Sequence, residues 1–155
     1  FIKRKQIMDM RKTLFLTAFL MIFGLSEAIY AQKKPIEINK QDFISKVINY
    51  EEVSGSWQYL GDKPAIVEFY ADWCPPCKVM ASVLKDIAKE YAGKMYVYKI
   101  NVDKQKELSK EIGIASIPTI FICPVGKQPL VVSGAVSKET LQMYIEEELF
   151  GNISE

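Results

Sequence analysis

Two cysteines three residues apart, Cys74 and Cys77, stand just after an apolar and aromatic run, Ala65-Ile66-Val67-Glu68-Phe69-Tyr70. The run reads as a buried strand. A short polar bend, Ala71-Asp72-Trp73, leads into a helix that begins at the cysteines. A Cys-x-x-Cys pair at a strand-to-helix turn is a redox signature with a mechanism. Free N–H groups and the macrodipole at a helix N-terminus favour the anionic form of Cys74. Cys77 lies one turn further on the same face, within reach of it. Cys74 is then expected to be an exposed attacking thiolate, and Cys77 the sheltered thiol that resolves a mixed disulfide.

Two blander uses of the pair compete with this one. A closed zinc site needs four ligands. The chain has no histidine, so only Cys123 and carboxylates could complete such a site. No metal is expected. A permanent structural disulfide would suit an exported protein, but so short a loop adds little entropic stability. Reactive use accounts for the spacing better. Pro75 and Pro76 carry no N–H, so a donor to the Cys74 sulfur must come from a later residue such as Cys77. Both prolines are tolerated in a first helical turn.

The absence of histidine also removes Ser-His triads and imidazole general bases. From Gln32 onward, fifteen lysines face seventeen acidic residues, a net charge of −2. Nucleic acid is therefore not an expected partner. The first segment is different. Lys3, Arg4, Lys5, Arg11 and Lys12 precede an apolar run from Thr13 to Leu25, followed by small residues near Ala28 and Ala31. This reads as a signal peptide over residues 1–31, shorter than the roughly 20 apolar residues of a membrane span. A retained anchor helix is the alternative. No cysteine near Ala31 supports lipid attachment.

Residues 32–38 read as a linker with a possible short edge strand, and residues 39–155 as one domain. Asn39 caps a helix over 40–50, with Phe43, Ile44, Val47 and Ile48 as its apolar stripe. A loop over 51–64 follows, with Trp57 and Tyr59 packed on the domain. The strand over 65–70 leads to a helix over 74–91, whose Val79, Met80, Val83, Leu84, Ile87 and Ala88 face the sheet. A strand over 95–101 and a helix over 107–112 closed by Gly113 come next. Residues 119–123 and 130–133 form a hairpin. Ser137 caps a last helix through Leu149, with Leu141, Tyr144, Ile145 and Leu149 inward. The order predicts an α/β fold, a central mixed sheet flanked by helices on both faces.

Four blocks, in order, carry a family resemblance: Glu68-Phe69-Tyr70-Ala71-Asp72-Trp73-Cys74-Pro75-Pro76-Cys77-Lys78, Tyr98-Lys99-Ile100-Asn101-Val102-Asp103, Ile114-Ala115-Ser116-Ile117-Pro118-Thr119 and Val132-Ser133-Gly134-Ala135. Over Gln41 to Leu149 the chain resembles the thioredoxin family. The resemblance implies a thioredoxin fold, a redox disulfide between Cys74 and Cys77, and no bound cofactor. It implies that Glu68, where the family commonly has Asp, accepts a proton from the inner cysteine, with Lys99 as its buried partner. It implies a cis Ile117–Pro118 bond in a loop against Cys74 that pairs with an extended substrate peptide. Trp73, Pro75, Pro76, Ile117, Pro118 and Gly134 would meet substrate, Gly134 by allowing close approach. The family usually has Gly-Pro between the cysteines, and a proline where this chain has Ser82.

The reading is thus an exported thiol–disulfide oxidoreductase, located in the periplasm of a Gram-negative bacterium. It would be a monomer acting on protein substrates with disulfides or thiols. An upstream reductase or oxidase would recharge it, and only its signal segment would meet a membrane. A dedicated electron-relay or cytochrome-maturation thioredoxin is the near alternative. A redox-inactive binding module is the distant one, disfavoured by intact Cys74, Cys77, Glu68 and Pro118. Cys123, in an apolar strand, is expected to be a buried and inert thiol.

Overall fold

The computed structural model describes residues 34–52 and 57–152. The expected signal segment, and residues 53–56 of the expected loop, lie outside the described residues. The sheet has five strands in the order β1-β3-β2-β4-β5. These are β1 (Ile36–Glu37), β2 (Ala65–Tyr70), β3 (Tyr96–Asn101), β4 (Thr119–Cys123) and β5 (Leu130–Ser133). β1 and β2 run parallel to β3, while β4 runs antiparallel to both β2 and β5. The expected linker thus contributes a two-residue edge strand.

The helices divide between the two faces because strand side chains alternate. Val67 and Phe69 of β2 point to one side. There they pack with Phe43 of α1 (Lys40–Lys46), with Leu108 of α3 (Lys106–Glu111), and with Tyr98, Ile100 and Phe121. Ile66 points to the other side, among Met80, Leu84 and Ile87 of α2 (Pro75–Glu90) and Leu141 of α4 (Lys138–Tyr144). After Tyr144 the helix widens into a π-helical turn, Ile145–Leu149, that keeps Ile145 in the same core.

The caps follow the sequence closely. Asn39 Oδ1 accepts from the Asp42 N–H at 2.9 Å, and the Asp42 carboxylate accepts back from the Asn39 N–H. Such a capping box contributes about 1 kcal/mol. Ser137 caps α4 through the Thr140 N–H.

Two expectations need correction. α1 ends at Lys46 instead of Tyr50: Val47 and Ile48 both donate to the Phe43 carbonyl, so the chain turns off the helix while keeping both side chains buried. Val79 is 61% exposed, on the outer side of α2 instead of facing the sheet. The loop before β2 is fixed by Tyr59, which is buried with its hydroxyl donating to the Lys63 carbonyl at 2.8 Å. That ring lies so close to Gly61 that a Cβ there would stand 2.1 Å from the Tyr59 hydroxyl oxygen.

Candidate functional site

The C-terminal end of β2 delivers the chain to α2 through Ala71, Asp72 and Trp73. Cys74 is the N-cap of α2, in extended conformation, with Pro75 and Pro76 in the first two helical positions. The prolines remove two N–H groups that no helical carbonyl would satisfy. The N–H of Cys77, next in line, points back at Cys74 and donates to its Sγ at 3.2 Å. The sulfur of Cys74 therefore occupies the place a serine or aspartate oxygen takes at ordinary helix starts. Cys74 and Cys77 are joined in a disulfide, with Cα atoms 5.3 Å apart.

Cys74 was expected to be exposed. In this disulfide state both cysteines are 2% exposed, packed with Ala71 and flanked by Tyr70, Val102 and Ile117. Trp73 carries the exposure instead, at 67%. Its indole N–H donates to Asp103 Oδ2 at 2.8 Å. Asp103 is held in turn by Asn101, whose Oδ1 accepts the Asp103 and Lys104 N–H groups and whose Nδ2 donates to Asp72. The β2–α2 and β3–α3 loops are thus tied by side chains. Asp103 stands in one of the family-like blocks, but a contact across 30 residues leaves no periodic signal that sequence reading could find.

The Ile117–Pro118 bond is cis, as the resemblance implied. The Ile117 carbonyl oxygen lies 3.9 Å from Cys74 Sγ. Thr119 closes the loop with its hydroxyl on the Ser116 carbonyl at 2.7 Å, and the Gly134 N–H donates to the Pro118 carbonyl at 2.8 Å. Gly134 has φ +88°, and a Cβ there would meet nothing within 4 Å. The backbone conformation there, one in which L side chains are strained, calls for a glycine.

Glu68 lies on the same sheet face as Ile66, toward α2. It is 2% exposed, and its Oε1 has no hydrogen-bond partner. Burial disfavours the charged form and pushes its pKa up to about 7, against the opposing pull of Lys99. Lys99 is its register neighbour on β3. It is not the buried ion-pair partner expected: its side chain is 35% exposed, its ammonium lies 3.8 Å from Glu37 Oε2, and it sits 5.0 Å from the Tyr70 ring centroid. A cavity of about 240 Å³ runs beside Glu68, lined by Tyr70, Leu84, Lys85, Lys99 and the Lys34-Pro35 segment.

Cys123 is fully buried and free, and desolvation pushes its thiol pKa far up. Among the described residues no group of three or more His, Cys, Asp or Glu side chains is placed to hold a metal. The arrangement joins a disulfide at a helix start, an exposed indole tied to Asp103, a backbone carbonyl from a cis-proline loop and a buried carboxyl. It has the parts for exchanging a disulfide with another chain.

Comparison with known proteins agrees with this arrangement. The thioredoxin family model matches residues 35–147. A thioredoxin of Borreliella burgdorferi is 35% identical over 116 residues, covering 75% of this chain and 97% of that protein. Thioredoxin 1 of a Nostoc species is 42% identical over 88 residues, covering 57% and 82%. A thioredoxin of Griffithsia pacifica is 41% identical over 109 residues, covering 68% and 95%. With its mixed five-stranded sheet, its Trp73-Cys74-Pro75-Pro76-Cys77 segment and these relatives, the chain belongs to the thioredoxin family and is a thiol–disulfide oxidoreductase of that type.

Proposed function

We propose that the chain works outside the cytoplasm, in the periplasm of a Gram-negative bacterium, exchanging its Cys74–Cys77 dithiol with disulfides of protein substrates. The Cys77 N–H bonded to Cys74 Sγ carries the assignment of roles. That donor stabilises negative charge on Cys74, which makes Cys74 both the attacking thiolate and the better leaving group.

In the reducing direction, the Cys74 thiolate attacks a substrate sulfur and expels the other as a thiolate, leaving a Cys74–substrate disulfide. Cys77 then gives its proton to Glu68 through an intervening water. It attacks Cys74 Sγ and releases the second substrate sulfur as a thiolate. The substrate disulfide has gained two electrons, and the protein is left with the Cys74–Cys77 disulfide. An upstream dithiol reductase returns those electrons; an oxidising partner would drive the same steps in reverse. Trp73, Pro75, Pro76, Ile117, Pro118 and Gly134 offer the surface that meets an extended substrate segment.

Insulin reduction with dithiothreitol as electron donor tests the activity. The expected result is accelerated precipitation of the insulin B chain, and a rate equal to dithiothreitol alone overturns the reading. Glu68→Gln should slow release of the mixed disulfide near neutral pH. The defect should shrink as pH rises and Cys77 deprotonates unaided. Export rests on the basic segment and apolar run before residue 26. Mass spectrometry of the chain expressed in a Gram-negative host should find a periplasmic form beginning near Gln32. A full-length form in the membrane fraction favours a retained anchor.

A further inference from the structure

Glu37, Lys99 and Glu68 form one row across three strands. β1 sets Glu37 opposite Lys99, and β2 sets Glu68 opposite the same Lys99. Neighbouring strands stand about 4.8 Å apart, and side chains in register share a face. One lysine is therefore flanked by two carboxyl groups on the α2 side of the sheet. It pairs with the outer one. Its ammonium lies 3.8 Å from Glu37 Oε2, and Glu68 keeps an unpartnered oxygen.

Solvation decides between the two. Glu37 is 40% exposed and keeps its charge at small cost, whereas an ionised Glu68 would lose its water. Glu37 is also built as an anchor: Lys104 donates to its Oε1 at 2.8 Å and the Tyr70 hydroxyl to its Oε2 at 3.2 Å. The Tyr70 ring in turn lies under the Lys99 ammonium. The other groups around the Glu68 cavity are Lys85 from α2, Lys34 from the segment before β1, and Tyr70 from β2. On β4 the register neighbour of Glu68 is the apolar Ile120.

We propose that Glu37 is a positioning residue of the exchange reaction: by anchoring the Lys99 ammonium at the edge of the sheet, it withholds that charge from Glu68 and leaves the buried carboxyl able to take up and return a proton near neutral pH. This rests on the reading of Glu68 as proton acceptor for Cys77. Without the anchor, the flexible lysine stem lets the ammonium turn inward along the cavity. Glu68 then becomes a fixed carboxylate in an ion pair, a weaker base for Cys77.

Glu37→Gln tests this, because it removes the anchoring charge and keeps an acceptor for Tyr70. Two readouts are followed in the full chain: the Glu68 titration midpoint, by carbon NMR of the labelled carboxyl, and the pH profile of mixed-disulfide release. The midpoint in Glu37→Gln should fall by about one pH unit, the size of shift an approaching cation gives. The acid limb of the release profile should move with it. Lys99→Met alone should raise the midpoint, and adding Glu37→Gln to Lys99→Met should then move it little. An unmoved midpoint in Glu37→Gln overturns the proposal. So does an equal fall with and without Lys99, which would mean that Glu37 acts by its own field. A midpoint that falls while the release profile stays fixed leaves the Glu37–Lys99 anchor standing and overturns the proton-acceptor role of Glu68.

Discussion

Trp73 donates its indole N–H to Oδ2 of Asp103 at 2.8 Å, across the gap between the loop after β2 and the loop after β3. The ring is 67% exposed, so apolar packing alone does not fix its orientation. This bond and the Asn101 network beneath Asp103 do so. Asp103→Ala should free the ring. KM for a protein substrate should rise about 2- to 10-fold, the ratio given by a net hydrogen-bond contribution of about 0.5–1.5 kcal/mol. The melting temperature should stay within a few degrees of the parent, because Asp103 is outside the core. Steady-state insulin reduction measures both kinetic constants, and an unchanged KM would show that the indole needs no anchor.

The N-cap geometry separates the two cysteines. Only Cys74 receives the helix N–H, and Cys77 supplies it. Cys74→Ser should reduce turnover to the dithiothreitol background. Cys77→Ser should accumulate an adduct with substrate through Cys74, visible on a non-reducing gel and mapped by mass spectrometry. Normal turnover by Cys77→Ser, or an adduct on Cys123, would contradict these roles.

Local signals were legible where they had strong ends. β4 and β5 lie where the two apolar runs place them, since Pro118, Pro124 and Gly134 punctuate both ends of the hairpin. Asn39 and Ser137 were readable as caps because each is a cap residue with a free N–H two or three residues ahead. The cysteine site was legible for the same reason: its parts sit within one strand, one bend and one helical turn. Lys99 was misassigned as a buried partner of Glu68 because its competitor, Glu37, arrives on a strand of two residues that carries no pattern of its own. Val79 was misplaced because apolar character was read as burial, whereas a helix beside a binding surface can expose a valine. The Trp73–Asp103 bond is a tertiary contact and had no local signal at all.

Cys123 offers a contrast with the active pair. It is fully buried at the end of β4, opposite Ala65 of β2, and burial pushes its thiol away from the reactive thiolate form. Iodoacetamide should leave the folded, oxidised protein unlabelled and add a single label after denaturation without reductant. Intact-mass measurement reads the count directly. Rapid labelling of the folded protein would show that β4 opens on that timescale.

Glu68 should also give the fold a pH dependence, and its sign is fixed by the direction of the shift. Its pKa is pushed up to about 7 in the fold, chiefly by desolvation, from 4.5 in an exposed chain. Between those values the folded state holds a proton that the unfolded state has released. Stability then falls as pH rises, with a slope of about 1.4 kcal/mol per pH unit at most. Below about pH 4 the group is neutral in both states and contributes no slope. Above about pH 8 it is charged in both, and the full cost remains, on the order of 2–4 kcal/mol. Glu68→Gln removes the titration, so its urea-unfolding free energy should be flatter than the parent's between pH 5 and 7. The gain relative to the parent should be largest at pH 8. An amide at this site still has polar atoms to satisfy, because Glu68 Oε1 has no partner. The decisive quantity is therefore the difference between parent and variant across pH, and not the variant's stability at one pH. If that difference is constant from pH 5 to 8, Glu68 titrates as an ordinary solvated carboxylate and cannot serve Cys77 as a base near neutrality.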